Sequence, residues 1–406
     1  MNIAIVEPIS SGAALVIAAK ELGHDVYVIS FNDADRTLPQ IVKDTATDII
    51  KFETNDDGLF VQQVCALHAK VRLDAIISGN EYYVPITAIA ANRIGVKGLP
   101  PATVENLRFK HKMRQCLTDA GLATPRFHII RSVKDIEELN TEGLFPSVLK
   151  PLGAAGSVHV KKVTSIEELT LAYLNAQEDT RSELGFAIGN DMLLEGYLDG
   201  EEFSVDGFVL NDEVHVVSVT KKLLEKEPYF VEVGHIVPAD IDEVKRQDIT
   251  NYIAQCAKAL GLDLGAFHGE IRLTSIGPVL IEIGARLPGD KIVDLVRLSS
   301  GIDLAKTTVL LYLDMLTEVP KNLQLGVSGI TFFANEELSQ FSGYSGEEQL
   351  QSLDGYVSHQ FMKKIGDSIP PLTDYRGRLA FAVFHHKERA QLLHSLSQAQ
   401  QVIELY

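Results

Sequence analysis

The chain has 406 residues, 46% of them hydrophobic and 23% charged, a balance that excludes a disordered protein and a length that calls for roughly two to four domains. Its 55 acidic residues against 37 basic ones give a net charge of −18, which argues against broad nucleic-acid or anionic-membrane binding but leaves room for a locally basic pocket. Cys65, Cys116 and Cys256 lack CxxC spacing, the start MNIAIVEPISSG is too short an apolar run for a signal peptide, and no stretch approaches a membrane span, so a reducing, cytoplasmic setting without structural zinc is expected.

Residues 3–6 form a buried-strand run, followed by a turn through Ser10, Ser11 and Gly12, a helix closing near Gly23 and a strand at 26–30. With a further strand at 74–78 and a helix at 84–94, this predicts a small parallel α/β domain over residues 1–100. The first turn, EPISSGAA, lacks GxGxxG, so a dinucleotide-binding reading loses its main support. Glu7 and Glu81 both follow predicted strands, at the edge where open parallel sheets bind ligands. Ordinary helix-start acids read the same way, and this plainer reading is preferred.

The tract Leu99-Pro100-Pro101-Ala102-Thr103 reads as a linker into a second unit, 101–195. The helix after it carries Arg108, Lys110, His111, Lys112 and Arg114, a run that ordinarily marks a solvated face. A strand at 125–130, a helix capped by Ser132 and a strand at 145–150 follow. That last strand opens KPLGAAGSVHV, in which Lys150 precedes a small-residue loop, 153–157, and a strand at 158–163. Small side chains let backbone N–H groups approach phosphate oxygens and a lysine adds a point charge. A simple hairpin reads the same way, and the order of lysine and glycines is not that of a Walker A loop.

After a helix at 165–177, the segment 192–222 reads as several strands with a turn at Asn211-Asp212 and an apolar face through Phe203, Val205, Gly207 and Val209. Its acids Glu195, Glu201 and Glu202 fit a solvated hairpin. In PYFVEVGHIVPAD, Glu232 and His235 lie in an apolar, strand-like run where a charge needs a partner and where a hydrogen-bonded core histidine is the alternative. A helix at 242–260 leads through Gly261 into HGEIRLTSIGPVLIEIGARLPGDK, residues 268–291.

This last stretch reads as a hairpin. If it is symmetric about Ile276, Glu270 faces Glu282, Ile271 faces Ile281 and Leu273 faces Val279, with one face apolar and the other carrying His268, Glu270, Arg272 and Glu282. Two carboxylates about 5 Å apart repel by roughly 3 kcal/mol at an effective dielectric near 20. Either a hard divalent cation with oxygen ligands relieves this, or Arg272 or a raised pKa does. From about residue 320 a further α/β subdomain is expected, with strands at 327–333 and 379–384; it carries no chemical motif and suggests core closure or contact in a homodimer.

In order and spacing these motifs resemble the ATP-grasp superfamily over residues 100–320. The resemblance implies an α/β (α+β) ATP-grasp fold: a parallel amino-terminal domain (1–100), a central domain with an ATP lid (101–195) and a carboxy-terminal antiparallel-sheet domain (196–406). It implies that Lys112 and Lys150 contact ATP phosphates under a loop containing Gly153, Gly156 and Ser157. Glu195, Tyr197 and Leu198 frame the adenine, Glu202 takes the ribose, and Glu270 and Glu282 ligate Mg²⁺, with Mn²⁺ as a substitute. More narrowly, Glu232-Val233-Gly234-His235 (ExxH) and Arg286 resemble the carboxylate–amine ligases of the L-amino-acid, dipeptide-forming group. Gly284 departs from the asparagine that many relatives place two residues after the second metal carboxylate, which puts the metal coordination in doubt.

The same resemblance implies an ADP-forming ligase that joins small-molecule carboxylate and amine substrates, amino acids, through an acylphosphate, with no nucleic-acid or membrane partner. Arg286 then serves phosphoryl transfer, and Glu232 and His235 orient the intermediate or accept the amine proton. The alternatives are transfer of an amino acid to a carrier protein, a carboxylase, against which the lack of a biotin-carrier segment weighs, and a nucleotide-binding protein of weak catalysis.

Overall fold

The computed structural model describes residues 1–188 and 191–406. Strands Asn2–Val6, Asp25–Ser30, Asp48–Lys51 and Ala75–Ser78 form a parallel four-stranded sheet in which the first strand lies between Asp25–Ser30 and Ala75–Ser78. Ile3, Ala4, Ile5 and Val6 are all fully buried, as a parallel strand covered on both faces must be. One face packs against the helix Asp57–Val71 through Phe60 and Val64; the other shares a core with the carboxy-terminal domain. At the edge where this first strand ends, the turns holding Gly12 and Gly79 touch backbone to backbone: a Cβ on Gly12 would lie 2.2 Å from the Gly79 carbonyl oxygen.

The second sheet is antiparallel, in the order Phe127–Ile130, Met192–Gly196, Ser147–Pro151, Lys161–Val163. Helices Val133–Glu137, closed by a capping box on Ser132, and Ile166–Glu178, capped by Ser165, cover it with their own core around Leu149, Leu169 and Leu194. The strand expected from residue 158 starts only at Lys161. Ser157 and His159 have φ of +60° and +54°, and left-handed residues cannot continue an extended run.

The third sheet has eight antiparallel strands in the order Gly277–Gly284, Gly265–Thr274, Glu201–Leu210, Glu213–Leu224, Glu232–Val237, Val327–Phe333, Ala380–His386, Tyr356–Phe361. The strands Val327–Phe333, Tyr356–Phe361 and Ala380–His386 therefore extend this sheet, with Val237 opposite Ser328, while Tyr344–Ser345 and Glu404–Leu405 pair as a small two-stranded sheet of their own. Asn211 and Asp212, both left-handed, make the tight turn that a two-residue hairpin needs. Among the described residues no helix is long and apolar enough to cross a membrane.

The central hairpin puts Glu270 opposite Glu282 and Gly269 opposite Ile283, but pairs Ile271 with Leu280 and Thr274 with Gly277. Gly277, at φ +110°, lets the chain reverse over two residues rather than symmetrically about Ile276. A bulge at Ile281 absorbs the odd residue before the glutamates are reached. Ile271, Leu280 and Ile283 form the buried face, while Ile281 joins Glu282 in lining a cleft.

Candidate active site

A cleft of about 800 Å³, counting its open mouth, runs between the second and third sheets and is lined by residues 154–158, 195–198, Glu202, Glu270 and Glu282. On one wall Lys150 is buried, its Nζ 2.6 Å from Glu195 Oε2, while Arg114 Nε donates to Glu195 Oε1 at 2.7 Å. Burial pulls the Lys150 ammonium below its ordinary pKa despite Glu195. Burial alone would raise Glu195, but Arg114 and Lys150 together hold it below the usual range. Tyr197 donates its hydroxyl proton to Glu227 at 2.6 Å beneath the Lys162 ammonium, and the Leu198 carbonyl accepts from Arg272.

The charged helix Lys110–Asp119 is not a solvated face. Lys110 and Arg114, one turn apart, are buried, and Lys110 Nζ lies 2.6 Å from Glu282 Oε2 and 3.0 Å from the Ala154 carbonyl. Lys112, the lysine expected at the phosphates, lies outside the cleft and pairs with Glu105 at the exposed surface. Two residues turn a helix by roughly 200°, so Lys110 and Lys112 cannot share a face.

At the cleft's inner end one ammonium gathers three carboxylates. Lys222 Nζ, 3% exposed, is 2.7 Å from Glu202 and 2.8 Å from both Glu232 and Glu270. Burial opposes its charge, yet the three carboxylates raise its pKa well above the ordinary value. Burial likewise opposes ionisation of Glu232, Glu270 and Glu282, but Lys222 holds the first two and Lys110 the third below the usual carboxylate range. The opposed pair Glu270 and Glu282 is thus compensated by two lysines and not by Arg272, which pairs with Glu202 at 3.2 Å. What fits the pair to a hard divalent ion is its oxygen-only donor set, held ionised; Lys222 and Lys110 supply the balancing charge in this structure.

A second cavity, about 1680 Å³ with its mouth, shares residues 156–158, Glu232, Glu270 and Glu282 with the first and is closed elsewhere by Ser10, Ser11, Glu81, residues 181–184, Arg376 and Arg378. In its wall His235 Nε2 is 3.3 Å from Glu232 Oε2 and from Asp290 Oδ2, and Asp290 binds the Arg378 guanidinium at 2.7 and 2.9 Å. Burial disfavours the imidazolium, but Asp290 and Glu232 raise its pKa. Glu232, His235 and Asp290 also come together closely enough to hold an ion, and Lys222 and Arg378 pair with the two carboxylates here. His268 Nδ1 lies 2.7 Å from the fully buried Asp206, with Nε2 3.4 Å from Glu270. Arg286 Nε donates to Glu81 Oε2 at 2.6 Å. Gly156, at φ +66°, lies so close to Tyr375 that a Cβ would meet its ring at 2.4 Å, while Gly153 lies against Arg108.

The structure therefore brings Lys150, Gly156, Ser157, Glu195, Tyr197, Leu198, Glu202, Glu232, His235, Glu270, Glu282 and Arg286 around two joined cavities and leaves Lys112 and Gly153 out of their lining. The cavities are also lined by Lys222, Asp290 and Arg378, which the sequence reading did not single out, and by Lys110 and Glu81, to which it gave the plainer readings of a solvated face and a helix-start acid. A lysine within the apolar strand run VVSVTKKLL, next to acid-bearing strands, was the available signal for Lys222.

Comparison with known proteins agrees with this architecture. The family description "ATP-grasp N-terminal domain" matches residues 16–100, and "ATP-grasp domain" matches residues 144–294. The chain is 28% identical over 268 residues to alanine–anticapsin ligase of Bacillus subtilis, covering 61% of this chain and 55% of that one. It is 29% identical over 262 residues to carnosine synthase 1 of Gallus gallus, covering 62% of this chain and 28% of that one. The chain thus spans about half or less of these two relatives. The crystal structure of an L-amino acid ligase from Bacillus licheniformis superposes with a TM-score of 0.83 at 23% identity, covering 100% of this chain and 98% of that one.

Proposed function

Since the chain belongs to the ATP-grasp family, we propose that it is an ADP-forming carboxylate–amine ligase that condenses amino-acid-type substrates. The observation that carries this reading is the shared wall: Glu232, Glu270 and Glu282 line both the nucleotide-sized cleft and the charged second cavity. Phosphoryl donor and acceptor can then meet across it. Relatives named for ligation of alanine and synthesis of carnosine support the substrate class.

ATP occupies the first cleft, with Lys110 and Lys150 toward its phosphates, Glu195, Tyr197 and Leu198 at the adenine, and Glu202 at the ribose. Glu270 and Glu282 would hold Mg²⁺, which supplies charge compensation at the phosphates when bound. Phosphoryl transfer asks mainly for positioning and charge stabilisation. Arg286, with N–H groups beyond those given to Glu81 and the Leu287 carbonyl, supports the transferring group in the planar, forked manner that suits an oxyanion. A substrate carboxylate oxygen forms the bond to the γ-phosphorus as the bond to the β–γ bridging oxygen breaks, giving an acylphosphate and ADP. An amine then attacks the acyl carbon and expels phosphate, its proton passing to the Glu232–His235–Asp290 group. The loop at 153–157 excludes water from the acylphosphate.

The test is incubation with ATP, Mg²⁺ and pooled amino acids, following ADP, phosphate and condensed products by mass. AMP with pyrophosphate in place of ADP with phosphate overturns the mechanism.

A further inference from the structure

We propose that Glu81, contributed by the amino-terminal domain, is the positioning residue for Arg286, and that Gly284 is glycine to admit it. The inference rests on the reading of Arg286 in phosphoryl transfer and goes beyond it. Gly284 sits in the strand Gly277–Gly284, buried, and its φ is not left-handed, so the backbone itself does not call for glycine. The space beside it does. A Cβ there would lie 2.4 Å from Glu81 Oε2, with the other two carboxyl atoms at 3.2 and 3.3 Å. A strand interior gains packing from nearly any other residue, and here that gain is given up to a carboxylate 203 positions away in the chain.

That carboxylate grips Arg286, two residues further on, through Nε at 2.6 Å, while Nη1 donates to the Leu287 carbonyl at 2.9 Å. The guanidinium is thus held along one edge, and its remaining N–H groups are left for the cavity that Arg286 lines. Side chains of Glu81 and Arg286 are 14% and 17% exposed, so the pair is largely shielded from solvent screening. Glu81 stands at the start of the short turn Glu81–Tyr83, which also reaches the segment covering the cavity: Tyr82 donates to Glu183, and Tyr83 bonds Asn55, whose amide donates to the Leu184 carbonyl at 2.9 Å. One turn of the amino-terminal domain therefore contacts both Arg286 and the segment 183–184 that lines the cavity.

The experiment measures phosphate release with ATP, Mg²⁺ and pooled amino acids for Glu81→Ala, Gly284→Ala and the double variant. ADP binding is measured in parallel with and without aluminium fluoride, a mimic of the transferring phosphoryl group. Misplacing a catalytic group by about 1 Å costs on the order of 100-fold, so each single variant should lose roughly 10- to 100-fold in kcat. Each should weaken the fluoride complex comparably, with plain ADP affinity within about threefold of the parent. The double variant should be no worse than the poorer single, because both changes displace the same carboxylate. Glu81→Gln, whose amide oxygen still accepts from Nε, should keep most of the activity. Glu81→Ala with parental kcat and fluoride binding, or losses that multiply in the double variant, overturn the proposal. Should Glu81→Ala not fold, Gly284→Ala decides on the same two measurements. Arg286→Ala separates the two readings: if it leaves kcat and fluoride binding intact, the phosphoryl-transfer reading itself fails. If it abolishes both while Glu81→Ala leaves both unchanged, only the positioning role falls.

Discussion

Replacing Lys222 by methionine tests the charge arrangement at the heart of the site. The methionine keeps the stem but removes the ammonium that stands 2.7 to 2.8 Å from Glu202, Glu232 and Glu270. Removing one partner from a buried ionic cluster costs about 3–5 kcal/mol, since uncompensated charge stays behind. The lower part of that range is expected, because three carboxylates lose the same partner but each keeps a second one, Glu202 with Arg272 at 3.2 Å, Glu270 with His268 at 3.4 Å and Glu232 with His235 at 3.3 Å. The pH dependence has a definite sign. Glu232 and Glu270 have depressed pKa values in the folded protein, so their contribution is present above the ordinary carboxylate pKa and is lost as pH falls toward the folded values. The difference between parent and variant should therefore be full at pH 7.5 and narrow below about pH 4.5. Urea unfolding in EDTA measures it, with global and lid transitions followed by separate probes because several domains need not unfold together. Adding Mg²⁺ should restore part of the loss, since an ion that binds the folded state supplies the missing positive charge. A deficit below about 1 kcal/mol at pH 7.5, or one unchanged by pH and Mg²⁺ alike, refutes this account.

Lys110→Met should weaken ATP affinity and turnover by roughly tenfold or more, while Lys112→Met leaves both near the parent value, as an exposed pair contributes little; binding and phosphate-release assays on both decide between the two lysines. Glu282→Gln should abolish Mg²⁺-dependent ATP consumption, and unchanged activity refutes its metal role. In the metal-free protein, Asp206 lifts the His268 pKa to about 9 against burial. Stability from this pair should be full below about pH 6.5, where the unfolded histidine is also charged, and fall as pH rises through 9, by about 3 kcal/mol at most. His268→Gln should flatten the denaturation midpoint over that interval. Gly156→Ala, at a left-handed φ against the Tyr375 ring, should cost about 1 kcal/mol of local stability and raise KM for ATP more than it lowers melting temperature.

What the sequence made legible was local. The Ser132 cap, the helix from 242 and its Gly261 terminus each depend on a few neighbouring residues and are present, whereas the strand expected from 158 starts only at Lys161. The opposition of Glu270 and Glu282 was legible for the same reason, although the two-residue turn and the bulge at Ile281 were not, because Gly277 could close the loop in more than one way. Lys110 was missed because choosing between it and Lys112 requires the helical phase, and Phe109 at the start of that helix provides no side-chain cap to mark it. Glu81, Lys222 and Arg378 pair with residues in other strands or domains. Lys222 faces Glu270 only because Glu201–Leu210 lies between their strands, and Arg378 reaches Asp290 only because the last strands join the central sheet. Such pairings depend on sheet order, for which residue spacing carries little signal.

The division of the hydrophobic interior has a practical consequence for engineering. One continuous core joins Ile3 and Ile5 of the first sheet to Phe203, Leu280 and Val383 of the third, whereas the second sheet keeps a separate core confined to residues 130–194. Global unfolding and local opening of the second sheet should therefore be governed by different sets of side chains, and hydrogen exchange should resolve them as two cooperative units. Filling or tightening the shared core should extend shelf life and heat tolerance without slowing product release. Changes around Leu149, Leu169 and Leu194 act on the opening step instead, so durability and turnover can be adjusted at separate addresses in one chain.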